Sequence, residues 1–222
     1  MFALALKDFS LMGKRFWLIG GVAFLFLIYP GNPAFGLAIS LLPALYVTAW
    51  ACGSDFQSKA DSFIACLPVA PGRVVGARFA VVPVAWAAGF ASALLIWALR
   101  TAFGPFLPAA ALPGIAALSL AAALVASAVY LCAYYLFGFQ NARWANFLVF
   151  GTIGALGPVL GSVLGKGGGG ASVESSSVRA GIAAFVSGGA GPGLYLAVLG
   201  AAMGLYAVAY CVSFAAYRSR DY

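Results

Sequence analysis

Few residues in this chain have the type and spacing that chemistry needs. Histidine, the commonest general base and metal ligand, is missing from all 222 residues. The four cysteines, Cys52, Cys66, Cys132 and Cys211, show no CxxC spacing. Three lie in or beside apolar runs, where cysteine serves as a small hydrophobic filler. "GSVLGKGG" at Gly161–Gly168 superficially resembles a phosphate-binding loop. The pattern GxxxxGK[ST], however, needs glycine where Leu160 stands and Ser or Thr where Gly167 stands. The expectation is therefore no catalytic residue, no metal and no cofactor in this chain, and no enzyme. What remains is one polar stretch, "SDFQSKADSFIACLPVAPGRVVGARF" from Ser54 to Phe79, which carries Asp55, Lys59, Asp61, Arg73 and Arg78 between two apolar runs.

The elements around that stretch are those of a membrane protein. Hydrophobic residues make up 64% of the chain and charged ones 8%, with a mean hydropathy of +1.02. Soluble domains run near half apolar and a quarter charged. The net charge of +7 is spread over 12 scattered Lys and Arg, which suits loop topology rather than a nucleic-acid partner. The N-terminal "MFALALKDFSLMGKRFW" lacks a clear small-residue cleavage site downstream and is expected to be retained.

Six apolar segments are bounded by charge or by Gly/Pro punctuation, roughly Phe16–Tyr29, Phe35–Cys52, Val75–Leu99, Pro113–Phe137, Trp144–Leu164 and Gly193–Ala216. With the N-terminus in the cytoplasm, nine basic residues fall inside and three (Arg100, Lys166 and Arg179) outside, so both termini are predicted cytoplasmic. The fold class is an all-α integral membrane protein, a six-helix bundle forming one domain over residues 1–222, in the cytoplasmic membrane with the lipid bilayer around it. "GFQNAR" reads as a tight internal turn, and residues 166–192 as a long external Gly/Ser-rich connection. Gly157, Gly161 and Gly165 recur every four residues and predict close helix packing or a dimer seam. Tyr130, Tyr134 and Tyr135, with Asn141 and Asn146, read as interfacial belt and helix-packing groups. No Asp, Glu, Lys or Arg falls mid-span, which argues against an ion-coupled carrier or proton relay.

Within the polar stretch, about residues 53–74, Ser54 with Gln57 reads as the capping box of a short helix. Phe56, Ala60, Phe63, Ile64 and Leu67 then build one apolar stripe, with Asp55, Lys59 and Asp61 at its sides, until Pro68 ends the helix. A helix lying on the lipid surface explains the stripe as well as a docking surface does.

An acidic residue, a short helix, Leu-Pro-Val, and a basic-aromatic pair about ten residues later stand here as Asp55, Leu67-Pro68-Val69 and Arg78-Phe79. Together with "LKDFSL" (Leu6–Leu11), Ser213, Tyr217 and "RDY" (Arg220–Tyr222), they resemble the small permeases of ABC-2 type transporters along the whole chain. The pattern departs where the family often has Ser-Arg after Leu-Pro-Val and this chain has Ala70-Pro71, with a basic group at Arg73. The resemblance implies an exporter subunit of six spans, paired with a second permease copy (itself or a close paralogue) and two separate ATP-binding subunits that bind ATP and magnesium. It makes Asp55, Phe56, Lys59, Asp61, Phe63, Ile64, Leu67, Pro68 and Arg73 the coupling-helix interface to those subunits. The apolar spans suit a hydrophobic or amphipathic cargo. A membrane scaffold, or a channel or secondary carrier without an ATPase, are the alternatives.

Overall fold

The computed structural model describes residues 33–58, 70–103, 112–164 and 191–219, with side chains over 40–58, 70–99, 112–142, 144 and 191–219. Over these residues it contains four helices: α1 (Pro33–Gln57), α2 (Pro71–Phe103), α3 (Leu112–Leu164) and α4 (Pro192–Arg218). Proline stands at the first or second position of every one. There its missing N–H is no loss and its fixed φ suits the helix. Gly191 precedes α4 in extended conformation and accepts the Leu194 N–H at 3.0 Å.

The helices close a ring in which α1 packs on α2, α2 reaches α4, α4 packs on α3 and α3 returns to α1. Its interior is built from small residues (Ala44, Ala51, Cys52, Ala77, Ala85, Ala123 and Ala128) around Leu124, Tyr130 and Leu131. Small side chains let backbones approach where lipid supplies no hydrophobic drive between helices. The outer surface is as apolar as the interior: Leu95, Phe137, Leu196 and Val208 all stand exposed. Such a surface suits hydrocarbon, not water. Pro71–Leu99, Leu112–Ala142 and Pro192–Arg218 are long and apolar enough to cross a membrane. At 1.5 Å per residue, α2 is roughly 50 Å long, against a hydrocarbon core of about 30 Å. Some of its turns therefore extend past the core.

Four described residues break helical regularity, one of them Pro158 inside α3. Pro43 lies inside α1 and Pro83 inside α2, each removing one backbone hydrogen bond. In α3 only Gly138 leaves the helix, at φ 80°, ψ 172°, a region open to glycine alone. This corrects the turn expected over 138–143. One glycine suffices for the break, and helix resumes at once, with Asn141 Nδ2 donating back to the Phe137 carbonyl at 3.3 Å. The two predicted spans Pro113–Phe137 and Trp144–Leu164 thus fall on either side of Gly138. The segment Phe16–Tyr29 and most of the 166–192 connection lie outside the described residues. Tyr130, Tyr134 and Tyr135 are buried, so they are packing groups rather than an interfacial belt.

Among the described glycines the closest approach is at Gly89, between α1 and α2. A Cβ there would stand 2.7 Å from Pro43 Cγ and 3.0 Å from the Ser40 carbonyl oxygen. A proline ring and a helix backbone cannot swing aside, so Gly89→Val should destabilise the protein by about 1–3 kcal/mol. Gly200→Val, at a position with nothing within 4 Å of the added Cβ, provides the control. Thermal unfolding in detergent reads both; equal midpoints would contradict the close approach.

Candidate interaction site

The candidate site lies where α1 ends and α2 begins, on either side of residues 59–69. Its first feature overturns the capping box. Helix α1 runs unbroken through Ser54 to Gln57, and Ser54 Oγ donates back to the Ala51 carbonyl at 2.9 Å instead of capping a new helix. Nothing in Ala51-Cys52-Gly53 stops a helix already under way. Gly53 is needed small for another reason: a Cβ there would meet the Phe139 ring at 3.2 Å. Phe139, one residue past the α3 break, stacks on Phe56 with centroids 4.9 Å apart.

That continuation sets the face on which Asp55 falls. Its side chain points into the ring, only 1% exposed, and forms a salt bridge with Arg78 of α2, itself 9% exposed. Asp55 is therefore not at the side of an outward stripe, as the helical spacing suggested, but an internal anchor. A lone carboxylate or guanidinium at such a depth would be costly, and each is tolerated because it answers the other. Tyr130 of α3, 1% exposed, lies within electrostatic reach of the Arg78 guanidinium and of Cys52.

The neighbouring residue carries the fixation on to α4. Phe79 is 4% exposed, its ring 5.0 Å from that of Tyr206 and 5.4 Å from that of Tyr210. The Tyr206 hydroxyl donates to the Phe79 carbonyl at 2.7 Å, and the Tyr210 hydroxyl to the Gly72 carbonyl at 3.4 Å. Further along α4, buried Ser213 donates to Cys132 Sγ at 3.7 Å, and Tyr217 meets the Tyr135 ring edge-on at 5.8 Å. Asp55 and Arg78 are thus brought together, Phe79 is joined to α4, and Ser213 and Tyr217 join α4 to α3.

The other predicted interface residues divide in two. Phe56 and Arg73 are exposed, at the end of α1 and in the first turn of α2. Lys59, Asp61, Phe63, Ile64, Leu67 and Pro68 lie outside the described residues. Gly157 and Gly161 lie in α3, past Gly138, beyond the described side chains, and Gly165 lies outside the described residues. Among the described residues, no group of three His, Cys, Asp or Glu could hold a metal ion. The sequence reading missed Tyr206, Tyr210 and Phe139. The signal was there for two of them, since Tyr206, Tyr210 and Phe214 repeat every four residues along one face of α4.

A family model described as ABC-2 family transporter protein matches residues 3–218, nearly the whole chain. The chain belongs to the ABC-2 transporter family. It is thus a multi-pass membrane protein, the permease component of an ABC transporter, a kind of subunit that works with ATP-binding partners. No curated protein and no solved structure matches it.

The ion pair is open to a direct check. Asp55→Ala or Arg78→Ala alone leaves an unanswered buried charge and should cost about 3–5 kcal/mol, while the double variant should regain much of that loss. Thermal unfolding of the four proteins measures it; losses that simply add would mean the two groups are not coupled.

Proposed function

We propose that this ABC-2 permease is the membrane subunit of an ATP-driven exporter for a hydrophobic or amphipathic substrate. Energy comes from two separate ATP-binding subunits, and the permease pairs with a second copy or a close paralogue. Six spans with both termini cytoplasmic complete this reading, and the nine-to-three basic bias supports it.

The observation that carries the proposal is the pairing of Asp55 with Arg78. The two residues flank the segment whose apolar stripe suits docking, and their bond ties both ends of that segment to the ring. A segment hung between two free helix ends would absorb a push by bending. Hung between clamped ends, it passes the push into α1 and α2 together. Closure of the ATP-binding pair then moves the helices, and the pathway opens to the other side. Asp55 contributes from inside, whereas Phe56, Phe63, Ile64 and Leu67 supply the apolar contact, with Lys59, Asp61 and Arg73 around it.

Phe63→Asp puts a charge into the docking groove and should weaken binding of the ATP-binding subunit by about 2–3 kcal/mol, while the permease still inserts and folds. Asp61→Ala, at the rim, should cost well under about 1 kcal/mol. Co-purification of the ATP-binding subunit with wild type and both variants distinguishes them. Equal recovery with all three would mean that the segment lies on lipid and not on a partner.

A further inference from the structure

We propose that Pro83 is a hinge in α2 and that the Tyr206 hydroxyl is the latch that holds it. In an α-helix the carbonyl of residue 79 would accept the N–H of residue 83, but that residue is proline and has none. The proline ring also crowds the same carbonyl, so the helix is weakest between Phe79 and Pro83. The missing donor is replaced from another helix: Tyr206 of α4 donates to the Phe79 carbonyl at 2.7 Å. Its ring packs on the Phe79 ring at 5.0 Å, which keeps the hydroxyl in place.

The position of the hinge gives the latch its meaning. The portion of α2 before it, Pro71–Phe79, holds Arg78 and with it the clamp on Asp55. The portion beyond is fixed by Gly89 against Pro43 and by Trp86 Nε1 donating to Ser119 Oγ of α3 at 3.1 Å. On one side of Pro83, then, α2 is bound to α1 and α3 by close packing. On the other side the arm buries Val74, Val75 and Ala77 in the core, and its contacts with α4 include the Phe79 ring on Tyr206 and Tyr210 and the two tyrosine hydroxyls. With Tyr206 in place the short arm lies against α4; when it lets go, the arm swings about Pro83 and carries Arg78, Asp55 and the end of α1 with it. Tyr206 is thus a positioning residue. The role of this swing in transport rests on the proposed function, whereas the hinge and its latch stand without it.

The test uses spin labels on Ala70→Cys and Ser219→Cys, both exposed and neither in the proposed interface, in the full chain with its native cysteines replaced by alanine. The latched protein should give one narrow distance distribution. Tyr206→Phe, which removes only the hydroxyl, should shift part of the population to longer distances. Pro83→Ala returns an N–H to the Phe79 carbonyl, so in that background Tyr206→Phe should leave the distribution narrow. No change on Tyr206→Phe, or the same broadening with alanine at 83, would overturn the latch. Added ATP-binding subunits with a non-hydrolysable nucleotide should lengthen the distance in the wild-type sequence. A complex that forms without moving it would overturn the role in transport, while failure of any complex to form would sink the docking reading and leave the latch intact.

Discussion

A carboxylate and a guanidinium cannot be left separately inside a bundle whose outer surface faces hydrocarbon. Asp55 and Arg78 must meet, and the rest of the described structure is arranged so that they do. Their pairing requires α1 to continue as helix past Gly53, so that position 55 faces inward, and requires α2 to begin within reach on the far side of residues 59–69. It also requires walls that keep water and lipid away. Tyr130 and Cys52 supply them from α3 and α1, both almost wholly buried. A buried pair of this kind adds little net stability over an apolar substitute, but losing one partner is expensive. Such a pair serves as a register device that makes one arrangement of α1 against α2 much better than its neighbours.

Elsewhere in the helices, some hydroxyls bond back to the backbone of their own helix. Ser92 Oγ donates to the Gly89 carbonyl and Thr48 Oγ1 to that of Ala44, each at 2.7 Å, so their hydroxyls cost nothing in an apolar setting. Trp86, Tyr206 and Tyr210 spend their single donors between helices rather than within them. The ring is therefore joined by a small set of directional bonds set in alanine-rich packing. Its closest described glycine contact is that of Gly89 against Pro43.

Much of this was legible in the sequence, and the failures have physical causes. Apolar run length located the helices beginning at Pro33, Pro71, Leu112 and Pro192 within a few residues, because a bilayer imposes that length directly. The family resemblance singled out Asp55, Arg78, Phe79, Ser213 and Tyr217, and the structure shows them to be interior contacts. Spacing alone misjudged Asp55, because a face assigned to an isolated short helix rotates when that helix is the tail of a longer one. The Ser54 capping box failed for the same reason: a serine caps only where a helix starts. Gly138 could be seen as a breaker, but not that it would act alone, since polar Gln140 and Asn141 look like loop residues whether or not they are helical. Nor could spacing show that Tyr206 would find the one carbonyl that Pro83 leaves without its helical donor, a bond between residues 127 apart in sequence.

In the proposed function the buried pair ties both ends of the docking segment to the helices and supports its partner's binding without touching that partner. Asp55→Asn and Arg78→Gln, separately and together, remove the charges while keeping a polar side chain at each position. The affinity of the ATP-binding subunit for each detergent-solubilised permease tests the claim most directly. Each single variant should bind more weakly than the wild type, and the double variant no more weakly than the worse single one. Wild-type affinity in both single variants, or losses that add in full, would contradict the claim.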